Sequence, residues 1–231
     1  VNKTDGVGYA FDTFNVDSSS YGIDGAAITS DYYSTLAGVS LLKNPEEVDI
    51  NLLATPGIDT INNSRLVGQI FDILEDRADT LYIVTTPDKE AGSGDFDDEI
   101  PEVDETVSNF KDVELHSGYA ATYYPWVKIE DNGEYLYIPA TRDVVRNMAE
   151  SDNSNTTMNL APAGLTRGKI KAIRARKNLK LDECDELYEA NINPVRTYAQ
   201  EGVIVMGQKT LRENDDLLNR IDVRRCVLRM R

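Results

Sequence analysis

Val48–Pro87 reads VDINLLATPGIDTINNSRLVGQIFDILEDRADTLYIVTTP and holds the clearest structural pattern in the chain. Val48–Leu53 is a short apolar run that stops at Thr55-Pro56-Gly57, a turn signal. Asn62, Asn63 or Ser64 is placed to cap a following helix. Leu66, Ile70, Ile73 and Leu74 recur at the spacing of one helical face. Leu81–Val84 is then continuous and β-branched and ends at Thr86-Pro87. Strand, helix and strand in so short a span predict a βαβ unit with parallel strands.

Outward from this unit the pattern loosens. Residues 1–45 are rich in Gly, Ser, Asp and Tyr and read as a β-rich peripheral segment, with strand pieces near Gly8–Phe14 and Ile23–Ile28. A short helix capped by Ser30 or Asp31 is expected through Tyr32, Leu36 and Ala37. Downstream, Asp88–Asp104 is a long acidic loop, and a helix is expected around Val103–Leu115. Tyr119–Ile129 reads as a strand bent at Pro125, and Asp131-Asn132-Gly133 is a hairpin signal that pairs Trp126–Ile129 with Glu134–Ile138. Thr141 is placed to cap a helix through Val144, Val145, Met148 and Ala149, and Ser151–Asn159 reads as a polar loop. After Ala161-Pro162-Ala163-Gly164, Lys169–Leu181 is basic and Asp182 opens a short helix through Cys184, Leu187 and Tyr188. Val195–Ala199 and Val203–Met206 form a hairpin by their alternation. The expected organisation is α/β, α+β overall. A βαβ-containing sheet flanked by helices forms a core at 46–164, and a smaller α+β subdomain follows at 165–231.

Composition narrows the function. The 231 residues are 41% hydrophobic and 28% charged, as in ordinary globular proteins. No window approaches the ~18 apolar residues of a membrane span. The formal net charge is −16, which repels phosphate backbones and anionic lipid, so neither nucleic acid nor membrane insertion is expected. The charge is also lopsided, with Lys and Arg gathered after residue 165 and most of the acid before 160. Opposed charge on one molecule suits head-to-tail assembly; chance segregation that serves only solubility is the alternative. Cys184 and Cys226 are far apart and suggest neither a disulfide framework nor a zinc site.

The catalytic inventory is thin. A Ser-His-Asp or Cys-His arrangement would need His116, the one histidine, which stands at an expected helix end before Ser117-Gly118. Gly92-Ser93-Gly94 is not a dinucleotide fingerprint. Asp95, Asp97, Asp98 and Glu99 match a calcium loop in charge only. The pairs Glu46/Glu47 and Asp215/Asp216 lie in polar, turn-like contexts without the burial that general-acid chemistry requires. The sequons at Asn62 and Asn155 lack a secretory context. No catalytic, metal or cofactor site is expected.

The last seventy residues carry four strings in order. Ala161-Pro162-Ala163-Gly164 is followed by Leu187-Tyr188-Glu189-Ala190-Asn191-Ile192-Asn193-Pro194-Val195-Arg196. Gly202-Val203-Ile204-Val205-Met206-Gly207-Gln208-Lys209-Thr210-Leu211 comes next, and then Asn219-Arg220-Ile221-Asp222-Val223-Arg224-Arg225. This succession resembles the contractile tail sheath protein family. Met206 stands where that family often has Trp, and Asn191 replaces a Gly. The resemblance covers roughly residues 120–231. It implies a structural subunit, not an enzyme. Such a subunit stacks in six-fold rings around a tail tube and contracts to drive the tube through a host cell envelope. Its partners would be copies of itself, the tube and the baseplate, and its place the virion tail, after synthesis in the host cytoplasm. Lys209, Arg220, Arg224 and Arg225 are then candidates for contacts between subunits, although Arg224 and Arg225 could equally pair with acids of their own chain. Trp126 and Gly207 are expected in the core, the one as an aromatic anchor and the other where backbones approach closely. A baseplate or other tail-associated module is the alternative, and an α/β hydrolase-like enzyme a more distant one. The chain opens at Val1 and ends at Arg231 within an amphipathic pattern. That reads as a truncated or proteolysed fragment lacking both terminal arms of the family, and as a monomer on its own. An intact mass of the full gene product matching 231 residues would refute the truncation.

Overall fold

The computed structural model describes residues 30–61, 63–87, 102–113, 115–153, 163–214 and 216–230. The strand pieces at Gly8–Phe14 and Ile23–Ile28, the acidic run 88–101, Asn62, the Asn155 sequon, Ala161-Pro162 and Asp215 lie outside the described residues.

The βαβ unit forms as its pattern predicts. Strand β1 (Leu52–Asp59) and strand β2 (Leu81–Thr85) are parallel and joined through helix α2 (Ser64–Arg77). Helix α1 (Ser30–Ser40) precedes them and lays Tyr32 and Val39 against α2 and its neighbours. The Thr55-Pro56-Gly57 signal does not end β1, contrary to its reading as a turn. Between the Ala54–Ile83 and Asp59–Thr85 pairs, β1 takes five steps where β2 takes two. Pro56 has no N–H to give to a ladder and Gly57 sits at φ +90°, so the segment bulges and the strand resumes.

Helix α3 (Val103–Asp112) ends earlier than expected, and strand β3 (Ala120–Tyr124) pairs in parallel with β2. Every residue of β2 and β3 is buried, which explains their unbroken apolar runs. Alternation sorts their side chains between two cores. Tyr82, Val84, Ala120 and Tyr124 face one core with Leu66, Ile70 and Leu74 of α2 and Phe110 of α3. Leu81, Ile83, Ala121 and Tyr123 face the other, with Val144 and Met148 of helix α4 (Thr141–Asn153). Thr141 is the first residue of that helix and not its cap, and α4 takes Ser151–Asn153 from the expected loop.

A cis Tyr124-Pro125 bond turns the chain out of the main sheet. Strand β4 (Val127–Asp131) then pairs with β5 (Glu134–Ile138) across Asn132-Gly133. Both loop residues have positive φ, at 51° and 87°, as a two-residue hairpin requires.

The basic segment supplies the one-turn helix α5 (Gly164–Arg167) and the short strands β6 (Lys169–Ile170) and β7 (Arg174–Ala175). Helix α6 (Leu181–Glu189) begins one residue before Asp182. Strands β8 (Asn193–Tyr198) and β9 (Gly202–Val205) are the expected antiparallel hairpin, and β8 also pairs in parallel with β3. The main sheet therefore runs β1-β2-β3-β8-β9-β6 and draws strands from both sides of residue 164. A smaller sheet, β5-β4-β7, packs Val127, Ile129 and Ile138 into the second core. Helix α7 (Ile221–Arg229) lays Ile221 and Leu228 against that core. Asp222, expected to cap it, lies in its first turn behind Arg220.

Candidate assembly surface

Two of the four C-terminal strings, 187–196 and 202–211, meet at Asn193, whose side chain is fully buried. Its Nδ2 donates to the carbonyls of Thr122 (2.9 Å) and Lys209 (2.8 Å), and its Oδ1 accepts from the Lys209 N–H (2.7 Å). One amide side chain thus ties β3, the start of β8 and the segment after β9. Gly207 packs on the same residue, where an added Cβ would lie 2.5 Å from Asn193 Oδ1 and 2.8 Å from its Cα. Asn191 takes φ 62°, so the position that holds Gly in the family pattern is left-handed here, and Asn is among the few other residues that tolerate it.

From this anchor the chain runs to the candidate interface residues. Lys209 and Arg220 form an antiparallel bridge. The Thr210 N–H donates to the Asn219 carbonyl (2.7 Å) and the Ile221 N–H to the Gln208 carbonyl (2.9 Å). Asp216 caps the short 3-10 turn Leu217–Asn219 by accepting from the N–H groups of Leu218 and Asn219. The two cations flank an open depression of about 530 Å³ that also takes in Tyr188, Gln208 and Leu217. Lys209 Nζ stands 4.3 Å from the Tyr188 ring centre. Arg220 is held as a fork by Asp222 at 3.2 and 2.8 Å. Leu217 is 73% exposed, which puts an apolar tip on a charged rim.

Arg224 and Arg225 do not reach this surface. Arg224 is buried, with its guanidinium 5.2 Å from the Tyr119 ring and packed where a Cβ on Gly118 would stand. Arg225 is 3% exposed and donates to Asp152 of α4 at 2.5 Å, and Arg229 reaches the same carboxylate at 2.7 Å. Trp126 is buried and donates through Nε1 to the Thr86 carbonyl (2.8 Å). Asp152 was missed because a lone acid at the end of a polar helix gives no sign of its partner.

His116 lies on the surface, four residues beyond the end of α3, and meets Glu213 at 3.4 Å. Ser117 Oγ donates to Glu75 and not to the histidine. Burial, set against nearby Arg196, pushes the Cys184 thiol up, away from the thiolate a nucleophile needs. Among the described residues no group of three His, Cys, Asp or Glu is placed to hold a metal ion, and no helix is long and apolar enough to cross a membrane.

The mixed sheet with its two helical layers is the fold of the sheath proteins of contractile injection systems. It superposes on the helical sheath of the anti-feeding prophage in its contracted state with a TM-score of 0.58 and 19% identity, covering 87% of this chain and 50% of that one. A chain of the six-fold symmetrised baseplate of the same particle gives 0.62 at 21% identity, covering 87% and 48%. In sequence, the chain is similar to the tail sheath protein of Vibrio phage KVP40, at 32% identity over 103 residues, which is 44% of this chain and 15% of that protein. It is likewise similar to the tail sheath protein of Enterobacteria phage T4, at 31% over 130 residues, or 52% of this chain and 18% of that one. No family model matches. The chain is thus similar to contractile tail sheath proteins in fold and in sequence, and it spans less than a fifth of the length of the curated proteins it matches.

Proposed function

We propose that this chain is part of a structural tail sheath subunit that polymerises as stacked six-fold rings around a tail tube and contracts to push the tube through a host envelope. One observation carries the reading: a sheath fold over 87% of the chain coincides with sequence similarity to two phage tail sheath proteins. Helical stacking needs two different, complementary surfaces on each copy. Contraction needs two packings close in free energy. Lys209 and Arg220 suit such a lattice, because exposed charged contacts exchange partners without uncovering apolar area. Arg224 and Arg225 serve it indirectly, by fixing α7 against β3 and α4. Tail tube and baseplate are the further partners, the virion tail is its place and the host cytoplasm its site of synthesis. The role is non-enzymatic, and the 231-residue chain by itself is a monomer.

Electron microscopy of the full-length gene product tests this. Tubular sleeves are expected, and a product that stays dispersed under conditions in which other sheaths polymerise overturns it. The likeness to a baseplate chain favours a second reading, a baseplate module, which copy number per particle separates from a sheath.

A further inference from the structure

The small sheet presents a face that neither core uses. On β4 and β5, Val127, Ile129 and Ile138 point inward, so Lys128 and its cross-strand neighbour Tyr137 point outward, as does Tyr135 opposite Glu130. Arg174 of β7 lies opposite Lys128 on its other side. Lys128 Nζ is 4.2 Å from the Tyr135 ring centre and 5.9 Å from that of Tyr137. The Arg176 guanidinium is 5.1 Å from the Tyr137 ring, and Arg174 Nη2 donates to the Tyr137 hydroxyl (3.0 Å). Three cations therefore converge on two tyrosines. Lys128 and Arg174 form no ion pair with any described residue. Tyr135 is 61% exposed.

We propose that this outer face of the β5-β4-β7 sheet docks a second copy of the chain through the acidic outer side of its helix α6. The inference rests on the self-assembling role above and adds a contact distinct from Lys209 and Arg220. The observation that selects the occupant is charge. Residues 165–231 carry fifteen Lys and Arg against ten Asp and Glu, and residues 1–160 carry nine against thirty. The basic excess concentrates at 167–180, which holds seven Lys and Arg and no acid and supplies Arg174 and Arg176. On the same chain, α6 exposes Asp182, Asp185, Glu186 and Glu189. Glu186 also lies near Asp104 of α3, and desolvation followed by that neighbouring carboxylate raises its pKa. Two acids held together gain from an external cation. Lys128 and Arg174 beside the tyrosine rings offer an incoming carboxylate both charge and N–H donors. A polyanion such as nucleic acid is the poorer fit, because the remaining surface repels it. One such contact is weak in an isolated chain and multiplies in a lattice.

The test mixes isotope-labelled and unlabelled copies of the chain at high concentration and low salt, then joins lysines to carboxylates with a zero-length carbodiimide. Mass spectrometry separates links between copies from links within one. We expect links between copies from Lys128 to Asp185, Glu186 or Glu189, suppressed by roughly 0.5 M salt through screening. The variants R174E/R176E, which keeps the Lys128 amine, and D185K/E189K should each reduce them by roughly tenfold or more. A mixture of the two should restore association, since each reversed face then meets a complementary one. Circular dichroism confirms that each variant is folded. The inference is overturned by links that are absent, that survive either reversal, or that run from Lys128 to acids elsewhere. Sleeve formation by the full-length product is scored separately, so that loss of sleeves speaks against the sheath role and loss of these links against this face.

Discussion

Gly207 and Asn193 show how much a single position can carry. A methyl group at 207 would press on both the side chain and the Cα of Asn193, which cannot yield without releasing its bonds to Thr122 and Lys209. Gly207→Ala should therefore destabilise the fold by about 2 kcal/mol, read as a lower midpoint in denaturant at unchanged slope. Glu186 gives a pH-dependent effect of known sign. Its pKa is raised by desolvation and by Asp104, so its ionisation opposes folding. Stability from this group is present below the unfolded carboxylate pKa and is lost as pH rises through the higher folded value. Glu186→Gln should accordingly raise the melting temperature at pH 7 and leave it unchanged near pH 3. A gain of equal size at both values would contradict the carboxyl pair.

Among elements, α4 and α7 are joined by charge at their ends and contribute to one apolar core. Arg225 and Arg229 close on Asp152, while Val144, Met148, Ile221 and Leu228 share one core. Removing a buried partner leaves its counter-charge uncompensated. Arg225→Ala should cost about 3 kcal/mol, moderated because Arg229 keeps hold of Asp152, and Arg225→Met should cost less by filling the space. Chemical denaturation of both variants checks the order. The hairpin at Asn132-Gly133 was legible from its turn chemistry, since only residues at ease with positive φ fit there. Thr55-Pro56-Gly57 was misread for a related reason. Pro and Gly mark a break in regular pairing, but a bulge and a turn share that signature, and only the partner strand decides between them.

At the scale of the whole molecule, one mixed sheet carries two cores. Reversing Lys209 and Arg220 together should leave the unfolding midpoint of the chain within about 0.5 kcal/mol, because both side chains line an open depression. The same change in the full-length product should reduce sleeve formation, measured by pelleting and electron microscopy. Intact sleeves from that variant would remove both residues from the assembly surface. His116 meets Glu213 and its neighbour Ser117 bonds Glu75, so these two side chains do not pair with each other.

The βαβ unit, the two hairpins and the resemblance of the C-terminal strings could be read from residue order alone. Each depends on periodicity or on turn residues a few positions apart, where local sterics govern the backbone. The insertion of β8 beside β3, the bulge in β1 and the burial of Arg224 and Arg225 could not. Each depends on a partner tens of residues away, such as Asp152 for Arg225, and only packing of the whole chain brings that partner within bonding distance.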